Sequence, residues 1–197
     1  MKAPRHARDT APRARYGEVR SRIRTGDILL FQGKTVLSRF IRWGSDSTYS
    51  HVGMAAWWGA RLVVFQAAGR GVEMLPVSAA VDDYDGRVDW WPLVPPYDAQ
   101  IDRERLLDVA ITELGKPYAT VGLVALVWRM AIGRFRGIPD PKADPEAMFC
   151  SQYVSYCYRS AGLDLRPNTP DMCTSPADLA RSGRLELRAV LRKEAAA

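Results

Sequence analysis

A cysteine, a histidine and a carboxamide carry the chemistry that this chain could perform. The chain holds three cysteines, Cys150, Cys157 and Cys173, and two histidines, His6 and His51. Positions 150, 154, 157, 158 and 161 are apolar or cysteine and follow the helical period, which predicts a helix over 149–161 closed by Gly162. Cys150 then lies in the first turn on the core-facing stripe. Unsatisfied backbone N–H groups and the helix dipole favour a thiolate there. The competing reading is a plain buried cysteine, because free cysteine is among the most buried residue types. Histidine supply tips the balance. His6 sits in a leader rich in Arg, Pro and Ala, which leaves His51 as the general base for a nucleophilic thiol. A serine nucleophile is disfavoured: Ser50 and Ser151 are immediate neighbours of His51 and Cys150 and so point elsewhere, and no G-x-S-x-G elbow is present.

The third member of such a site depends on a hairpin. Residues 50–58 and 61–67 are β-rich runs separated by Gly59-Ala60, a dipeptide suited to a two-residue turn. That turn pairs Trp58 with Arg61 and hence Gly53 with Gln66, placing His51 and Gln66 on one face as diagonal neighbours. The Gln66 carboxamide oxygen can then accept from the imidazole and fix its tautomer. A turn one residue longer would move Gln66 to the opposite face. A polar residue on a half-exposed strand is the alternative reading of Gln66, and Glu73 is a carboxylate alternative of unknown register.

Further strands are expected at 28–31, 71–76 and 88–94, and helices at 36–44, 102–114 and, opened by the Ser175-Pro176 cap, 175–181. The fold class is α+β, with a small, mostly antiparallel sheet packed against helices. The acidic run 82–86 reads as a turn because it lacks calcium-loop spacing. The stretch 134–146 reads as a loop of a length that can cover a site.

Of the 28 basic and 22 acidic residues, eight basic and two acidic ones lie in the first 24, which accounts for the whole net charge of +6. Residues 1–24 are therefore expected to be a disordered basic tail, 25–190 the folded domain and 191–197 a C-terminal tail. The charge-balanced body gives no argument for specific nucleic-acid binding, whereas the tail leaves room for a weak contact with an anionic membrane. The sparse cysteines indicate neither a disulfide framework nor a zinc knuckle, so no metal or other cofactor is expected. The apolar run 121–128 is too short to span a bilayer and no apolar leader segment is visible, so a cytoplasmic protein is expected. Oligomeric state is not encoded legibly.

Five ordered blocks carry a resemblance: Thr25-Gly26-Asp27-Ile28-Leu29-Leu30-Phe31, Tyr49-Ser50-His51-Val52-Gly53, Gly115-Lys116-Pro117-Tyr118, Phe149-Cys150-Ser151-Gln152-Tyr153-Val154 and Ser175-Pro176-Ala177-Asp178-Leu179. Together they resemble the circularly permuted, papain-like branch of the NlpC-type superfamily, in particular YiiX-like bacterial proteins, and more distantly lecithin retinol acyltransferase. The resemblance spans about residues 25–185 and has the order His51, Gln66, Cys150, the reverse of the unpermuted branch. It implies a permuted papain-like fold with Cys150 as nucleophile, His51 as base and Gln66 as the third polar residue. Tyr118 and Ser151 are implied to contact substrate. Gln66 departs from the Glu that YiiX-like proteins often carry at this place. The implied activity is hydrolysis of an amide or ester bond of a small-molecule, peptide or lipid substrate through an acyl-enzyme. The alternatives are a lipid acyltransferase or amidase, whose acyl groove would involve 120–132 and Phe135, and a binding module without turnover.

Overall fold

A computed structural model describes residues 11–44, 46–132 and 146–194. Seven strands form one sheet in the order β1-β7-β6-β2-β3-β4-β5: β1 (Arg13–Arg15), β2 (Ile28–Gly33), β3 (His51–Trp58), β4 (Arg61–Ala68), β5 (Gly71–Pro76), β6 (Gly86–Trp91) and β7 (Ala189–Arg192). All neighbours pair antiparallel except β1 and β7. The expected α+β class is therefore observed, as is the two-residue hairpin, with Trp58 opposite Arg61.

Strand alternation divides the core between the two faces of the sheet. On one face Leu30, Val52, Met54 and Phe65 meet Leu106 and Ala110 of α5 (Arg103–Thr112) and the buried stripe Cys150, Val154, Cys157 and Tyr158 of α7 (Cys150–Ser160). On the other, Leu29, Phe31, Val64 and Trp90 meet Val77, Ala80 and Val81 of α3 (Val77–Asp82). A third cluster joins Ile41 of α2 (Val36–Gly44) to Leu123 and Val127 of α6 (Thr120–Ile132) and to Phe149. Two short helices, α4 (Pro95–Asp98) and α8 (Pro176–Ala180), complete the set among the described residues, the latter opened by the expected Ser175 cap. None of these helices is long and apolar enough to cross a membrane.

The expected disordered tail over 1–24 is corrected for its second half. β1, the short α1 (Tyr16–Val19) and a 3-10 turn over Arg20–Arg22 belong to the body, and Tyr16, Val19 and Ile23 are buried in the core. Arginines that read as a solvated leader lie on the domain instead. Arg20 stacks over Trp57 at 4.8 Å and donates to the Ala60 carbonyl, Arg22 covers Trp90, and Arg24 pairs with Asp98 at 2.6 Å. The three apolar residues that dock this segment were obscured in the sequence by the basic residues between them. The domain also continues beyond 190, because β7 runs to Arg192. The strand expected at 88–94 ends at Trp91, before Pro92, which has no N–H to offer a ladder. Residues 1–10 with His6, 133–145 with Phe135 and all but the last residue of the loop expected at 134–146, and 195–197 lie outside the described residues.

The Thr25-Gly26-Asp27 turn anchors β2. Gly26 has φ +93°, a conformation that favours glycine, and a Cβ there would stand 3.0 Å from Leu106. Asp27 is buried and accepts from the Arg24 amide at 2.9 Å and the Trp90 indole at 2.7 Å. Burial holds its carboxyl up at about 6, against the lowering by those two donors. The folded state therefore binds the proton more tightly than the unfolded chain, where an Asp titrates near 3.9. This contribution to stability is fully present below that unfolded value and is lost as pH rises to about 6, amounting to roughly 3 kcal/mol at most. Asp27→Asn retains an oxygen acceptor for both donors. Thermal unfolding followed across that pH interval is expected to show a falling Tm in the parent chain and a flatter profile in the variant; parallel profiles would show that Asp27 is not the titrating group.

Candidate active site

The registered pairing of β3 with β4 stops at Met54 and Phe65, although the strands continue to His51 and Ala68. The tip of α7 is placed at this splayed end. Cys150 is 1% exposed, its sulfur is hydrogen-bonded to the His51 side chain, and it accepts from the Val52 and Ser151 backbone amides. The sulfur accepts from a backbone amide of β3 as well as from a side chain of the same strand, so it lies against the end of β3 where the pairing with β4 has stopped. Phe149, the residue before α7, supplies no side-chain cap, which leaves first-turn N–H groups such as that of Ser151 free to meet the sulfur.

The imidazole is oriented from behind. His51 Nε2 lies 2.8 Å from Gln66 Oε1, and Gln66 Nε2 donates to Glu73 Oε1 at 3.0 Å. A carboxylate only accepts, so Glu73 fixes which end of the amide faces it, and the Gln66 oxygen must face the histidine. His51 Nε2 is then the donor, leaving Nδ1 for the thiol. The register supports this relay, with Gln66 directly opposite Glu73 on β5. Gly53 makes room for it: a Cβ there would stand 2.5 Å from Val64 Cγ2 and 3.4 Å from Gln66 Cβ. The ring also packs on Phe31, with centroids 5.2 Å apart.

Electrostatics favour the ion pair. Burial acts most strongly on His51 and disfavours its charged form, but the Cys150 charge and hydrogen bond, the Gln66 hydrogen bond and the Glu73 carboxylate outweigh it, so the imidazole pKa is raised. Burial likewise disfavours the Cys150 thiolate, yet His51 and the amides of Val52 and Ser151 leave its pKa lowered. Cys157 has no such neighbours, and burial pushes its thiol up.

A cleft of about 550 Å³ opens beside the pair, with His51, Gln66, Tyr118, Tyr84, Ile41 and Leu75 among its lining residues. Cys150 is not itself exposed to it. Tyr118, whose pKa burial and the Cys150 charge both push up, lines the cleft beside the sulfur. Ser151 is placed otherwise than expected for a substrate contact: it is fully buried and its hydroxyl donates to the Thr174 carbonyl at 2.7 Å. It touches the chemistry only through its backbone amide. Tyr84 escaped the sequence reading, and Ser50 was weighed only as a nucleophile. Tyr84 lines the cleft, hydrogen-bonds Ser50 and Ser38, and lies within electrostatic reach of Cys150. Ser50 is buried and accepts from the Gly33 amide at 3.1 Å. Their only sequence signal was position, Ser50 beside His51 and Tyr84 inside the acidic run.

Fold and site together define an α+β domain in which a helix-tip cysteine is hydrogen-bonded to a strand histidine backed by a carboxamide and a carboxylate. The architecture is similar to the crystal structure of the metalloprotein yiiX from Escherichia coli O157:H7, with a TM-score of 0.53 and 19% identity over 87% of this chain and 89% of that one. The chain thus has a YiiX-like fold. No family model and no curated protein matches it. The metal in that neighbour's description finds no matching donor set here: among the described residues no three His, Cys, Asp or Glu side chains come together to hold a metal ion. At the site, Gln66 lies between His51 and Glu73, engaging the His51 Nε2 and one Glu73 carboxylate oxygen.

Proposed function

We propose that this chain is a papain-like cysteine hydrolase that cleaves an amide or ester bond. The single observation that carries the reading is the hydrogen-bonded series Cys150, His51, Gln66, Glu73 at the edge of a cleft. The Cys150 thiolate attacks the substrate carbonyl carbon, forming a C–S bond as the carbonyl π electrons move onto oxygen. Backbone N–H groups at the start of α7 face the developing oxyanion. The His51 imidazolium gives its Nδ1 proton to the leaving amine or alcohol as the tetrahedral intermediate collapses to a thioester. His51, now neutral, takes a proton from water, which attacks the thioester and releases the acid and the thiolate. Tyr118 stands at the cleft wall within electrostatic reach of the sulfur, where it contacts the substrate.

An amine or alcohol acceptor in place of water would make the same thioester an acyltransferase intermediate. The apolar surface of α6 supports that second reading, with Val121, Val124 and Trp128 exposed around a shallow groove. A panel of acyl amides, simple esters, peptidoglycan-stem peptides and phospholipids, assayed with the parent chain and with Cys150→Ser, tests the proposal. Turnover is expected with at least one class, together with an acyl adduct on Cys150 in the intact mass. Turnover that survives in Cys150→Ser, or an adduct on Cys157 or Cys173, contradicts it.

A further inference from the structure

Hydrogen bonds fix the edge of the His51 imidazole, with Gln66 at Nε2 and the Cys150 sulfur at the other nitrogen. Two bonds along one edge leave the tilt of the ring to whatever packs on its face. That neighbour is Phe31, the residue opposite His51 in the β2 and β3 register, with centroids 5.2 Å apart and planes at 53°. Phe31 itself lines the cleft, so its ring borders open space unless another group closes on it. Tyr84 closes on it. The two rings meet edge to face, with centroids 5.0 Å apart and planes at 66°.

Tyr84 is itself held at several points. It stands in the link between α3 and β6, and its hydroxyl hydrogen-bonds Ser38 of α2 and Ser50, the residue ahead of His51. Ser50 accepts from the Gly33 amide at 3.1 Å, which ties the tyrosine to the ends of both β2 and β3. Gly33 leaves the room for this cluster: a Cβ there would stand 2.7 Å from the Tyr84 hydroxyl and closer still to Ser38 Oγ. Its φ is not positive, so the backbone does not call for glycine at this place. We infer that Tyr84 is a positioning residue for the reactive pair: it clamps Phe31 against the imidazole face and so keeps His51 between Gln66 and the Cys150 sulfur. The inference rests on the pairing of Cys150 with His51 in the proposed function, but it requires no turnover. Without the clamp the Phe31 ring turns into the cleft, the imidazole tilts with it, and the hydrogen bond to the sulfur weakens. Glu73 and Tyr118, the other titratable groups acting on the pair, keep their places.

Two titrations of the full chain test the clamp: iodoacetamide alkylation of Cys150 against pH, resolved by peptide mass mapping, and NMR of the His51 imidazole nitrogens. A His6→Gln background leaves His51 as the sole histidine signal. Tyr84→Leu removes the aromatic edge and is expected to raise the Cys150 midpoint by about one pH unit and to lower that of His51 by a similar amount, because each ion loses part of its partner. Tyr84→Phe keeps the ring and is expected to hold both midpoints near those of the parent chain. Tyr84→Met fills the space without an aromatic edge and stands in where thermal unfolding shows Tyr84→Leu to be too unstable. A wider cleft or a weaker fold alters the alkylation rate or the Tm but does not move the two midpoints in opposite directions. Midpoints unmoved in the folded Leu or Met variant, while His51→Ala raises that of Cys150, overturn the clamp and leave the pair standing. Equal shifts in Tyr84→Phe and Tyr84→Leu assign the effect to the hydroxyl and overturn it as well. A Cys150 midpoint that His51→Ala does not move overturns the pairing and the clamp together.

Discussion

His51→Ala is expected to lower kcat/KM for any substrate turned over by the chain by on the order of 10⁴, the scale on which triad members act. The loss has two sources. The variant has no proton to give the leaving group, and it removes the group that most strongly lowers the Cys150 pKa against burial. With burial opposed only by the Val52 and Ser151 amides, the thiol returns toward or above its ordinary range near 8.5. Steady-state rates over a pH series, with circular dichroism to confirm folding, check this. A variant within about tenfold of the parent chain would show that the imidazole is not the base.

The second large effect lies one bond further out. Gln66→Leu leaves the His51 Nε2 proton without its acceptor and frees the ring to change tautomer; wrong-tautomer triads lose catalysis on a comparable scale, so about 10²- to 10³-fold is expected. Glu73→Gln is gentler and more diagnostic. The Glu73 carboxylate raises the His51 pKa, so its removal lowers the pH at which the imidazolium is lost. The alkaline limb of the rate profile should therefore move to lower pH while the acid limb, which reports thiolate formation, stays near its place. A profile that keeps both limbs would confine Glu73 to a structural part. The same relay explains the carboxamide at 66. A glutamate there would face Glu73 directly across the β4 and β5 ladder, two like charges in register, whereas glutamine connects acceptor to donor.

Much of this site was legible because it rests on short-range rules. A two-residue turn set the hairpin register, and from it the shared face of His51 and Gln66; the helical period set the inward direction of Cys150. The link to Glu73 required a second hairpin register, which the sequence left open. Tyr84, and the part Ser50 plays beside it, were hidden for a different reason: they meet at the cleft through contacts with Ser38 and Gly33 that no local pattern encodes. The N-terminal segment was missed because charge dominated its composition: β1 is held by long-range pairing with β7, and Tyr16, Val19 and Ile23, which follow it, are buried among residues distant in sequence. Ser151 is the converse case: the resemblance implied a substrate contact, whereas the helical geometry that already turned it away from a nucleophilic role directs its side chain to Thr174.

The most direct test of the central pairing is the rate of iodoacetamide alkylation at each cysteine as a function of pH, resolved by peptide mass mapping. Cys150 is expected to react below neutral pH with a profile that His51→Ala shifts upward, while Cys157, its thiol pushed up by burial, stays unmodified. A Cys150 rate that rises only near the ordinary thiol value of about 8.5, and does so identically in parent and His51→Ala chains, would contradict the paired thiolate and the mechanism built on it.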